Sequence, residues 1–131
     1  MKEPKYYVAV FGDPKPPERD TVESGKYHLG GRGTGIAGER GDILLLYCTD
    51  SYAEHSLSVP GIGIVLTKFS DYLFYRYLPL STPVGKDRID TIFTEEDKRN
   101  FSNVRSDGFR MFEISRQSFR DTLESVSVAW P

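Results

Sequence analysis

The sequence predicts an α+β domain: a small, curved or closed mixed β-barrel of five or six strands with short peripheral helices. Three observations lead there. Short β-rich segments, apolar or aromatic, recur along the chain and are separated by Gly, Pro and Asp turn signals. Helix-capping signals precede only brief stretches. The 131 residues, 38% hydrophobic and without an internal repeat or low-complexity tract, suffice for one core, so residues 1–131 read as a single domain.

The elements follow in order. Tyr6 to Phe11 (YYVAVF) is a β-rich opening strand that ends at the turn Gly12-Asp13-Pro14. Pro16 to Glu23 carries prolines at its start and acids in its first turn, the pattern of a short helix. Asp42 to Thr49 is a buried strand, and a polar loop from Asp50 to Ser58 leads to a second, Val59 to Leu66. Gly61 and Gly63 in that second strand signal bending or close backbone approach. Tyr72 to Pro79 is an aromatic strand ended by its proline, and Thr94 to Phe101 a charged helix with Thr94 as N-cap and Asp97 three residues on, a variant of the capping box. Phe109 to Ile114 closes the strand list. Ser115 then caps a last short helix ending near Leu123.

Between Lys26 and Gly38 the chain reads KYHLGGRGTGIAG, with Gly33, Gly35 and Gly38 at GxGxxG spacing. A dinucleotide site needs a strand before such a run and a helix opening on it, because the helix N-terminus supplies the N–H groups that hold the pyrophosphate. Here the preceding segment is polar and broken, and Gly33 to Asp42 leaves no room for a helix before the next strand. The run is therefore either a glycine loop at a binding surface or a plain connection. Gly85-Lys86-Asp87 lacks both the upstream glycine and the Ser/Thr of a P-loop.

Composition narrows the chemistry. No apolar stretch approaches the roughly 20 residues of a membrane span, and no apolar signal core follows the N-terminus, so a soluble, cytoplasmic protein is expected. The single Cys48 excludes an internal disulfide and lies in an apolar strand, where a thiol behaves as a small hydrophobe. With only His28 and His55 beside it, neither a metal site nor a nucleophile motif is assembled, and no cofactor or catalytic role is expected. Net charge of −2 argues against indiscriminate DNA coating, yet six basic residues between Lys98 and Arg120 face two acids. Such segregation fits either a solvated face or a local contact with nucleic acid. Eight tyrosines and 13% aromatic content supply many rings with a polar edge.

The motif order carries a resemblance. Gly41-Asp42-Ile43-Leu44-Leu45-Leu46-Tyr47, a polar loop, then Pro60-Gly61-Ile62-Gly63-Ile64-Val65 resembles the core of EVE domains in the PUA-like superfamily. The opening YYVAVF, the aromatic strand running into Leu78-Pro79-Leu80-Ser81-Thr82-Pro83-Val84, and the closing FRMFEISRQSFRDTL are similar to flanking pieces of those domains, so the likeness covers residues 5–124. One region departs. Where EVE domains have a tryptophan, a GVRN-like stretch and a helix, this chain has Tyr27-His28-Leu29-Gly30-Gly31-Arg32; Tyr27 stands for the ring, Arg32 for the arginine, and the Asn is missing.

The resemblance implies a reader of nucleic acid. EVE and the related YTH domains recognise modified bases, and in McrB-type modification-dependent restriction systems such a domain forms the N-terminal specificity module beside an AAA+ motor and a nuclease. The expected function is recognition of a modified base, in methylated DNA, flipped into an aromatic pocket. Element ends give the base-binding candidates Tyr27, His28, Asp13, Thr49, Ser51, Phe69 and Tyr72, with Tyr27 and Tyr72 as the leading pair of rings; Lys26, Arg32 and Lys68 are the phosphate candidates. An ASCH-like RNA-binding or small hydrolase domain and a protein-interaction module are the alternatives.

Overall fold

A computed structural model describes residues 3–12, 21–29, 39–102 and 110–130. Among these the chain forms β1 (Tyr6–Phe11), β2 (Lys26–His28), β3 (Ile43–Cys48), β4 (Ser58–Phe69), β5 (Tyr72–Gly85), α1 (Lys86–Ile92), α2 (Glu95–Ser102), β6 (Arg110–Ile114) and α3 (Arg116–Glu124). Single 3-10 turns lie at Val22–Ser24 and Ala53–His55. The six strands make one sheet in the order β2-β5-β4-β3-β1-β6. Only β1 and β3 run parallel; the other neighbours are antiparallel.

The sheet is curled, and side chains reveal it. Neighbouring strands lie about 4.8 Å apart, so a flat sheet would separate β2 from β1 by roughly 19 Å. Instead Tyr27 of β2 packs edge-on against Phe11 of β1 at 5.0 Å between ring centroids, and its hydroxyl donates to the Val10 carbonyl at 3.0 Å. Alternation along each strand then fills two cores. Tyr7, Ala9, Phe11, Leu44, Leu46, Val65, Leu73 and Tyr75 point into the curl, whereas Tyr6, Val8, Val10, Leu45 and Ile62 point outward beneath the helices, where Ile89, Phe101, Phe119 and Leu123 cover them.

Two local devices shape the curl. At the start of β3, Gly41 takes φ 95° and the buried Asp42 accepts from the Lys5 N–H at 3.2 Å, while its carbonyl accepts from Val65 N–H at 2.8 Å. One Gly-Asp pair thus ties β3 to both the entry of β1 and the middle of β4. Gly61 and Gly63 serve the second device. A Cβ on Gly63 would lie 2.6 Å from the Tyr75 ring, and one on Gly61 would lie 2.6 Å from the Tyr77 ring and 2.7 Å from the Leu78 carbonyl. Bare backbone on β4 lets the tyrosines of β5 lie flat across it, the close approach that the two glycines predict.

α2 and α3 are joined by one buried carboxylate. Asp97 Oδ2 accepts from Thr94 Oγ1 (3.0 Å), the Ser115 N–H (3.1 Å), Ser115 Oγ (2.8 Å) and Ser118 Oγ (2.6 Å). Thr94 caps α2 and Ser115 caps α3, as expected, but the box is rerouted: the Thr94 N–H donates to Ser118 Oγ at 3.1 Å. Burial opposes the Asp97 charge; the hydrogen bonds from Ser118, Ser115 and Thr94 outweigh it and hold the carboxyl below the usual carboxylate range.

Three expectations change. The aromatic strand does not stop at Pro79; β5 continues to Gly85, because Pro79 and Pro83 lie past the short stretch where β2 pairs with it and next to a register shift opposite Gly61. The segment before the glycine run is not broken but forms β2, and Lys86–Ile92 is helical. The expected helix from Pro16 to Glu23 falls within the described residues only at its end, where Val22–Ser24 is a 3-10 turn.

Gly61→Ala and Gly63→Ala are each expected to lower unfolding free energy by about 1–3 kcal/mol. Gly85→Ala, where an added Cβ meets nothing within 4 Å, should stay within about 0.5 kcal/mol. Urea denaturation of the three variants checks this ordering. For Asp97 the folded-state pKa is lowered, so its stabilisation is complete above the unfolded value of about 4 and is lost as pH falls through the folded value. Asp97→Asn should therefore cost about 2–3 kcal/mol near neutrality and flatten the loss of stability below about pH 4. Unfolding midpoints across that range, wild type against variant, test it.

Candidate nucleic-acid interface

Strand parity sorts the predicted site residues. Tyr27 lies opposite Leu73 and His28 opposite Tyr72, so Tyr27 turns into the curl with Leu73 while His28 and Lys26 share the other face with Tyr72 and Phe74. Tyr27 is 2% exposed. Its hydroxyl is held by Val10 and its ring by Phe11, so it is a core residue. A base sandwiched between Tyr27 and Tyr72 is therefore ruled out, since the sheet itself separates the two rings.

On the outer face the side chains converge. The His28 and Tyr72 rings lie 4.9 Å apart at a 37° tilt, Tyr72 and Phe74 6.2 Å apart, and Lys26 Nζ sits 5.2 Å above the Tyr72 ring. This ring and cation are held by three-residue pairing of an edge strand, with Tyr75 N–H donating to Gly25 O at 2.9 Å and Leu29 N–H to Asp71 O at 2.7 Å on either side. Tyr72 and Phe74 are half-buried, His28 exposed. Phe69, opposite Tyr72 across the β4–β5 hairpin, is 73% exposed. Lys68 pairs with Leu73 and so projects from the opposite side of the hairpin to Tyr72.

Thr49 and Ser51 stand apart from this cluster. Thr49 is buried, its N–H donates to the Phe11 carbonyl at 3.0 Å, and its hydroxyl lies 2.9 Å from Ser51 Oγ. They follow the end of β3, beside Ser58 at the start of β4, whereas Phe69 is at the other end of that twelve-residue strand. Asp13, Arg32 and the glycine loop from Gly30 to Gly38 lie outside the described residues.

A further group at the strand ends went unnoticed in the sequence. Tyr75 donates to the Val22 carbonyl at 2.6 Å and the Tyr52 hydroxyl accepts from the Val22 N–H at 3.4 Å. His55 stacks on Tyr52 at 5.6 Å and lies 2.8 Å from Glu23. These contacts fix the Val22–Ser24 turn over the curl. Burial, then Glu23, pushes the Tyr75 phenol far above its ordinary value, and burial with a smaller contribution from Glu23 pushes the Cys48 thiol up to about 12. Cys48 is protonated at neutral pH, as a buried small hydrophobe should be. Among the described residues no three His, Cys, Asp or Glu side chains group as a metal site needs, and no helix is long and apolar enough to cross a membrane.

The division into core and surface rings has a measurable consequence. Tyr27→Phe, which removes the buried hydroxyl that donates to the Val10 carbonyl, is expected to lose about 0.5–1.5 kcal/mol of stability. Tyr72→Phe alters a half-exposed ring on the outer face, where water can replace a lost partner, and should cost less than Tyr27→Phe. Parallel thermal and urea unfolding of the two variants distinguishes them.

The chain matches no protein-family profile and no curated protein. Its fold has solved counterparts. It is similar to the crystal structure of protein Atu2648 from Agrobacterium tumefaciens, with a TM-score of 0.62 and 13% identity over 97% of this chain and 96% of that one. It is also similar to the NMR structure of Rpa0253 from Rhodopseudomonas palustris, with a TM-score of 0.62 and 14% identity over 92% and 91% of the two chains. At these identities the likeness is one of fold: a mixed α+β chain whose described residues form a six-stranded curled sheet and three short helices, matched nearly end to end.

Proposed function

We propose that this chain is a PUA-like nucleic-acid-binding module of the EVE type that reads a modified base in DNA, the base resting on Tyr72. The observation that carries the reading is the outer-face cluster: a half-exposed Tyr72 ring flanked by the exposed His28 imidazole, with Lys26 Nζ 5.2 Å from its centroid. An aromatic platform beside a cation is what a base with its phosphate requires, because every base has a π-face and every nucleotide a negative charge. The order of the Gly41-Asp42 strand, the Pro60-Gly61-Ile62-Gly63 strand and the aromatic β5 supports the family, and the curled sheet is compatible with it. His28 offers ring nitrogens to the edge of a base lying on Tyr72. The module would hand recognition to an effector, such as a fused or associated AAA+ motor and nuclease.

The energetics favour a base that is out of its stack. Extrusion from a duplex costs a few kcal/mol. Stacking on one ring returns roughly 1–3 kcal/mol. Phosphate contacts must supply the remainder, which makes binding salt-dependent.

Binding to duplex and single-stranded oligonucleotides carrying N6-methyladenine, 5-methylcytosine, 5-hydroxymethylcytosine or no modification, at two salt concentrations, tests the reading. A preference for one modification is expected, with Tyr72→Ala weakening it by about 5- to 150-fold, the equivalent of one lost base stack. Lys26→Gln should reduce the salt slope by about one. Equal affinity for all probes, unmoved by either substitution, would sink the proposal and leave a protein-interaction or RNA-binding role.

A further inference from the structure

We infer that the β4–β5 hairpin is a wedge, and that Phe69 fills the gap left in a DNA duplex when the target base is extruded; this rests on the nucleic-acid reading above. Phe69 is 73% exposed, more than Leu57 at 43% or Leu66 at 46%, the other exposed large apolar side chains among the described residues. It is the last residue of β4, separated from Tyr72 by the two-residue turn Ser70-Asp71.

The turn is stiff. Ser70 sits in the left-handed region at φ 57°, and the Asp71 carbonyl accepts from Leu29 N–H at 2.7 Å, so the tip is tied to the chain leaving β2. Phe69 is thereby presented on a hairpin tip tied to the neighbouring strand. Its cross-strand neighbour Tyr72 packs with His28 and Phe74, leaving the Phe69 ring in solvent.

Charge fits the same task. Register places Lys26 on the Tyr72 side of the hairpin and Lys68 on the Leu73 side, and Arg76 follows Tyr72 and Phe74 on the outer face. A finger entering a duplex meets a phosphate backbone on each side, and this one carries a lysine on each side. Asp71, in the turn, is the one carboxylate in Leu66–Arg76. Apolar side chains inserted between base steps are an established way for proteins to hold DNA unstacked. Here the insertion would occur within one cross-strand step, about 5 Å, of the ring that receives the base.

The test uses the whole chain and a duplex with 2-aminopurine next to a target base, whose fluorescence rises on unstacking. Wild type should raise the signal, and Phe69→Ala should abolish the rise and weaken duplex binding by about tenfold, a larger loss than it causes in single-strand binding. Phe69→Trp should restore both, and Lys68→Gln should lower the duplex salt slope by about 0.9. If Phe69→Ala opens the duplex as well as wild type does, or if wild type binds duplex without opening it, the wedge is overturned while single-strand and modification preference still report on the base-reading proposal. Binding to no oligonucleotide removes both. Concentration-dependent self-association that Phe69→Ala abolishes, seen by sedimentation, would reassign the ring to a second copy of the chain and overturn the wedge.

Discussion

The contact between two glycines of β4 and two tyrosines of β5 is the constraint on which the architecture depends. Tyr75 lies against Gly63, and from there its hydroxyl reaches the Val22 carbonyl across the open side of the sheet. Any side chain at position 63 would push the ring, and with it the hydroxyl, out of reach of that turn. The curl, the seating of Val22–Ser24 and the start of β2 all follow from one place where the backbone is bare. Tyr27 completes the arrangement from the other end by joining β2 to β1.

Aromatic residues consequently serve two separate purposes. Those turned inward, Tyr7, Tyr27, Tyr52 and Tyr75, act as core residues, and for Tyr27, Tyr52 and Tyr75 a hydroxyl also bonds to backbone. Those turned outward near the β4–β5 hairpin include the exposed Phe69 and the half-buried Phe74 and Tyr72, whose ring has the Lys26 ammonium 5.2 Å from its centroid. At β2 strand parity decides which purpose a ring serves, and the adjacent Tyr27 and His28 fall on opposite faces of the sheet.

Much of the scaffold was legible in the sequence because its signals are local. The apolar run from Ile43 to Cys48, the Thr94 and Ser115 caps and the paired glycines each state their role within a few residues. The element missed at the site, β2, is three residues long, too short for a period-two pattern to register, and it exists only because β5 supplies a partner. Without that pairing the sidedness of Tyr27 was unreadable, which is why a core ring and a surface ring were grouped together. The Asp97 node was half visible: Thr94 and Asp97 are three apart, whereas Ser115 and Ser118 arrive from another helix. The Val22 contacts with Tyr52 and Tyr75 span 30 and 53 residues, beyond any local signal.

The position of β1 has a consequence for the order of synthesis. This strand, near the start of the chain, lies between β3 and β6, and β6 begins only at Arg110. On a ribosome making the chain, YYVAVF emerges early, can recruit β3 on one edge, and then keeps its other edge open until nearly the whole domain has been made. All six of its residues are apolar and all are buried in the finished fold. During that interval the nascent chain carries an exposed edge of the kind that recruits other chains. β6 therefore acts as the closure of the sheet's β1 edge as well as part of the core.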